Sequence, residues 1–192
     1  SAALAEQSTD SSLIKLLPKI YSNISGALTG ENQFEKAIVY SKKALQFTNY
    51  PDEQRYRIIL HQSIADAYVN LKQLAAAKPY LDTAVLLTGK FNNGIIKLLM
   101  FSTEGNYYDQ AREYKKALAA YHMAYQYADS NNNTYLKAEA ADNLAAIYYK
   151  QKNYSEATLY ATEANRIALS VNHIKVAAST FNTLKNTAEA KG

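Results

Sequence analysis

The side chains that could make or break bonds are few in this chain of 192 residues, and they do not gather. His61, His122 and His173 stand far apart, and cysteine is absent. No H-E-x-x-H pair, glycine-rich phosphate loop or G-x-S-x-G elbow occurs. Asp52 and Glu53 are adjacent in a turn-like stretch, with no base or nucleophile beside them. His61 takes the place of a core aromatic, His122 falls on a helix and His173 in a loop, so catalytic residues, a metal site and a cofactor are not expected. A second chemistry is better represented. Ser22 and Asn23, then Gln62, Ser63, Asp66 and Asn70, then Ser102, Thr103 and Asn106, then Asp142, Asn143 and Tyr149 recur at helical spacing, with Lys19, Gly26, Thr29, Val69, Leu99, Asp109, Glu139, Ala146 and Lys150 beside them. Ser, Asn, Asp and Thr are mediocre helix formers because their short polar groups compete for the backbone, yet they share one face while Lys and Ala fill the others. Such a face can hold a ligand by hydrogen bonds; the alternative is a helical surface kept polar for water alone.

The elements that must carry these residues are set by small residues. Ala37, Ala77, Ala117 and Ala157 recur every 40 residues, each followed seven positions later by Ala44, Ala84, Ala124 or Ala164. Before each pair runs a helical pattern of large, large, small, large: Tyr21, Ile24, Ser25 and Leu28; His61, Ile64, Ala65 and Tyr68; Phe101, Glu104, Gly105 and Tyr108; Ala141, Leu144, Ala145 and Tyr148. The small position lets a partner helix approach, and its neighbours three and four residues away form the packed stripe. A two-helix unit cannot bury its own apolar face and must stack on the next, so the period predicts a solenoid whose work is to hold another molecule. Glu104 in an apolar position marks the third copy as the poorest in packing.

The fourth copy, Asn143 to Ala157 with the sequence N-L-A-A-I-Y-Y-K-Q-K-N-Y-S-E-A, resembles the helix-turn-helix consensus of the tetratricopeptide repeat family, Tyr154 opening the second helix as Phe34, Leu74 and Tyr114 do elsewhere. The match in spacing runs over about residues 12 to 190. The resemblance implies an all-α, right-handed α-α superhelix of four helix pairs, at about 12–50, 51–91, 92–131 and 132–172, with a trailing helix at 174–190, all in one domain cut from a longer protein. The period exceeds the family's common value of about 34 by roughly six residues. These are expected in Thr48 to Glu53, Thr88 to Gly94 and Ser130 to Thr134, where turn residues cluster, with Ser170 to His173 as the fourth turn. Pro18 bends the first helix if that helix starts at Ser12; a later start is the alternative.

The resemblance also implies that the first helices line a concave groove holding a protein or peptide, and that Asn23 and Asn143 stand where family members use asparagine on a peptide backbone, for which a carboxamide offers both donor and acceptor. The basic clamp that grips a terminal carboxylate in chaperone-binding members is replaced by Leu99 and Thr103, and Asp66, Glu139 and Asp142 repel a carboxylate, favouring a neutral or basic segment. Forty-residue arrays of this kind resemble those of bacterial signalling and regulatory proteins, so an interaction or sensory module is expected, with a free-standing adaptor or assembly factor as the alternative and an enzyme with an unrecognised site as the remote one.

Bulk properties narrow the partners. The net charge is +4, but the only adjacent basic pairs are Lys42 with Lys43 and Lys115 with Lys116, both on second helices, so nucleic acid is not expected. The most apolar stretch, Ile95 to Phe101, is interrupted by Lys97 and is far short of a bilayer span, so no direct membrane insertion is expected. The opening S-A-A-L-A-E-Q has no leader character, and Ala3 and Leu4 resemble the close of an earlier repeat, as at Ala44 and Leu45. Lack of cysteine suits a soluble domain in the cytoplasm or the periplasm.

Overall fold

The architecture comes from a computed structural model that describes residues 14–48, 54–91 and 93–191. The readings made on Ala3, Leu4, Ser12, Asp52 and Glu53 fall outside the described residues. Within them the chain forms α-helices only: α1 (Leu17–Gly30), α2 (Phe34–Leu45), α3 (Gln54–Asn70), α4 (Leu74–Gly89), α5 (Gly94–Gln110), α6 (Tyr114–Ser130), α7 (Thr134–Lys150), α8 (Tyr154–Ser170) and α9 (Ile174–Lys191). None of these is long and apolar enough to cross a membrane. Two compact units result, Ser1–Asn92 and Asn93–Gly192. In the first, α1, α2, α3 and α4 pack in succession and α1 also touches α3. In the second, α5 to α9 pack in succession and α7 also touches α9. Each unit is thus a layer of first helices against a layer of second helices.

Six connections are the same device. Asn32, Lys72, Arg112, Asn132, Lys152 and Asn172 all hold a left-handed backbone, with φ between 52° and 60°. The residue after each sends its N–H back to a carbonyl in the last turn: Gln33 to Leu28, Gln73 to Tyr68, Glu113 to Tyr108, Asn133 to Ala128, Asn153 to Tyr148 and His173 to Ala168, all at 2.8–2.9 Å. This double-bonded cap satisfies helix-end carbonyls and reverses the chain within three residues. The next helix is then capped at once in two of these turns, the side chains of Asn133 and Asn153 accepting from the N–H groups of Leu136 and Glu156.

Because the turns are so short, the helices absorb the length of the period. Helices α7 and α8 have 17 residues each, with only Gln151–Asn153 between them. The extra residues that turn composition assigned to Ser130 to Thr134 therefore lie in the helices, and Asn131–Asn133 is the whole connection there. Pro18 sits in the first turn of α1, where its missing N–H costs nothing, so the later helix start is the one observed. Pro79, inside α4, is the less expected proline, since the helix continues through it without that hydrogen bond.

The small residues do what their spacing predicts. The eight repeated alanines are all at most 1% exposed. In two of the helix pairs the residues that meet are visible directly. Ser25 on α1 meets Ser41 on α2 through a 2.6 Å hydroxyl contact, and also donates to the carbonyl of Ala37 at 3.0 Å. In the third pair the matching residues are Gly105 and Tyr121, where a Cβ added to Gly105 would stand 2.3 Å from the tyrosine ring. The third copy is therefore specialised at Gly105, next to the Glu104 that drew attention in the sequence; Glu104 itself is half-buried. Large apolar residues fill the rest, as where Ala117 and Tyr121 pack with Leu144 and Ile147.

Two substitutions test this packing by chemical denaturation. Ala117→Leu is expected to lose about 1–3 kcal/mol through overpacking. Gly105→Ala is expected to destabilise as well, although the same change in an unobstructed helix gains about 1 kcal/mol; a gain would show that Tyr121 yields freely.

Candidate ligand groove

The predicted polar face is distributed over both units. In the first, Ser22 is half-buried and Asn23 exposed on α1, while on α3 Gln62, Ser63 and Asp66 are half-buried and Asn70 is exposed. Asn70 bonds back to Asp66, its amide donating to the backbone carbonyl at 2.9 Å. In the second unit the residues separate into two groups. Asn106 on α5 and Asp142 and Asn143 on α7 come together, with Glu139, in a recess of about 300 Å³. Thr103 does not join them. It is 1% exposed, packed within the helix layer, and so is corrected from groove contact to core residue. Val69 is likewise buried. Ser102 turns its hydroxyl to the carbonyl of Leu98 at 3.1 Å, and Tyr149 lies beside Tyr154 with ring centroids 5.8 Å apart.

Helix α9 completes the recess with Lys175, Val176 and Ser179, none of which was anticipated. The signal was present: Ser179 is Glu139 moved on by one 40-residue period. Treating the trailing helix only as an end piece hid that equivalence.

The fine geometry is set by hydrogen bonds. Ser179 Oγ donates to Asp142 Oδ1 at 3.0 Å, tying α9 to α7. Burial pushes the Asp142 carboxyl above the ordinary carboxylate range, an effect opposed by the Ser179 hydrogen bond and by the charges of His173 and Lys175. His173, 4% exposed, is stacked on Tyr135 at 3.8 Å and 10°, with Nε2 3.1 Å from Glu139 Oε1. Tyr121 donates to Asn106 Oδ1 at 2.7 Å, which links the close-packed site at Gly105 to the recess wall. Lys150 on α7 reaches both carboxylate oxygens of Asp109 on α5 at 2.6 Å, bracing the two first helices.

The other histidines serve packing. The Nδ1 of His61 lies 2.7 Å from the carbonyl of Arg57, and burial lowers its pKa. His122 lies 3.1 Å from the Tyr148 hydroxyl and edge-on to Tyr160 at 5.7 Å, and burial lowers its pKa too.

Repeated antiparallel pairs closed by one turn type define a helical-repeat protein. Models of the tetratricopeptide repeat match residues 60–91 and 138–171, so the chain carries such repeats, and its fold is the all-α superhelical one of that class. Among solved structures, BtubC (BKLC) from P. vanneervenii is similar over 99% of this chain and 85% of that one, with a TM-score of 0.72 and 16% identity. A signal transduction ATPase with numerous domains, carrying a tetratricopeptide repeat sensor and coming from Pyrococcus horikoshii, aligns over 92% of this chain and 34% of that one, with a TM-score of 0.44 and 20% identity. No curated protein matches the chain.

Asp142 offers a test by pH. Its folded-state pKa is raised, so the folded chain holds the proton to higher pH than the unfolded chain, and stability is lost as pH rises through the folded-state value. Asp142→Asn keeps an acceptor for Ser179 and removes the buried charge. It is expected to raise Tm at neutral pH, with the gain shrinking in acid, as followed by thermal melts across the pH range.

Proposed function

We propose that the chain is a non-enzymatic scaffold that captures a protein or peptide on the face made by its first helices, and that it serves as the interaction or sensory module of a bacterial signalling or regulatory protein. Residues 1–192 act in this reading as a single repeat domain. The observation that carries it is the recess across α5, α7 and α9, where three successive first helices turn hydrogen-bonding side chains, Asn106, Asp142, Asn143 and Ser179 among them, toward one space. A scaffold role in protein interaction is what tetratricopeptide repeats in general support. The assignment to signalling rests on the 40-residue period and its likeness to arrays in such proteins. Each histidine is engaged in stacking or hydrogen bonding within the helix layers, which favours binding over catalysis.

The captured partner is expected to be a protein or peptide, not nucleic acid, because the carboxylates of Glu139 and Asp142 line the recess and repel phosphate. Affinity capture from native extract tests the reading. The immobilised chain should retain a partner that the Asn23→Ala, Asn143→Ala double variant loses. A partner retained equally by both would move binding off this face.

A further inference from the structure

Two carboxylates, Glu139 and Asp142, are among the residues that line the recess. Asp142 and Glu139 stand one helical turn apart on α7, so their side chains are neighbours on one face. Asp142 Oδ1 accepts the hydroxyl of Ser179, and Glu139 Oε1 meets His173. An ionised carboxylate can accept about four hydrogen bonds, so both retain capacity toward the space they line. Asn106 and Asn143 add carboxamides from α5 and α7. The cation on the wall, Lys175, acts on Asp142 through space. Together with His173 behind Glu139, these are the charged and titratable groups that face the site. Among the residues that line it, two carboxylates stand against one ammonium, which leaves the lining an acceptor of positive charge.

Resting on the groove reading above, we propose that this recess receives an arginine side chain of a bound peptide. A guanidinium presents five N–H donors in a flat fork and can bridge two carboxylates one turn apart while still donating to a carboxamide. An ammonium offers a single point of charge and would engage one carboxylate at a time. Val176, buried at the edge of the recess, gives the methylene stem of an arginine an apolar surface.

The test is a titration of the ¹⁵N-labelled chain, followed by amide shifts, with acetyl-arginine methylamide, its neutral citrulline isostere and free arginine. The arginine amide should shift Asp142, Asn143 and Ser179 saturably, and the citrulline compound should bind at least about tenfold more weakly. Asp142→Asn, which is expected to remain folded, should abolish that preference, while Lys175→Gln should tighten the arginine amide a few-fold. Tighter binding of free arginine than of the amide would point to a metabolite in place of a peptide and overturn the proposal. Equal binding of the arginine and citrulline compounds in the recess would overturn the cation but keep the groove. Shifts confined to residues away from the recess, or no shift at all, would overturn this proposal, and partner capture by the double alanine variant would then decide whether the groove falls with it.

Discussion

Two helices can run side by side at close range only if nothing larger than a methyl or hydroxymethyl group stands between them, or if one side gives way entirely. That constraint governs the molecule. Ala37, Ala77, Ala117 and Ala157 meet it in the second helices, and Ser25, Ala65, Gly105 and Ala145 meet it in the first. Where the second helix carries a large residue, as at Tyr121, the first must shed its side chain at Gly105. Where both carry hydroxyls, as at Ser25 and Ser41, burial is tolerated because each satisfies the other. Interiors packed at crystal-like density leave little other choice. Since Tyr121 also holds Asn106, the size match in the core reaches the wall of the recess through one hydrogen bond.

The turns convert this local packing into a surface. A left-handed residue is disfavoured by about 1–2 kcal/mol outside glycine and asparagine, and Lys72, Arg112 and Lys152 bear that cost in three of the six positions. In return the helices that these six turns follow end with carbonyls bonded, and only three residues separate them from the next helix. Within the second unit, where every connection is of this type, α5, α7 and α9 contribute to one recess. Longer loops would have left the register of Asn106, Asn143 and Ser179 undetermined.

Most of the architecture was legible because it rests on period and size, which a sequence displays openly. The second helices open at Phe34, Leu74, Tyr114 and Tyr154, the residues at which the repeat pattern places them. The site was legible only in part. Register located Asn106, Asp142 and Asn143, but it could not separate them from Thr103, which stands one 40-residue period before Asn143 at the same repeat position and yet is buried. Lys175 and Ser179 were hidden for another reason. Helix α9 stands outside the four helix pairs over which the polar face is traced, although Ser179 follows Glu139 by one 40-residue period. It nevertheless packs against α7 as well as α8.

Under the proposed function Asp142 has a part beyond the bond that ties α9 to α7. A carboxylate half-buried at a helix interface is disfavoured by its own desolvation, and a single serine hydroxyl offsets that only in part. The stacking itself has no need of it, since Ala138, Ala141, Leu144 and Ala145 supply the buried face of α7 and Val176 meets it from α9. Asparagine would make the same bond to Ser179 without the charge. A residue that packing does not require and that stability disfavours is best accounted for by what it faces. It faces a space lined also by Glu139, Asn106, Asn143 and Lys175, and under the proposed function its charge is there for the bound segment.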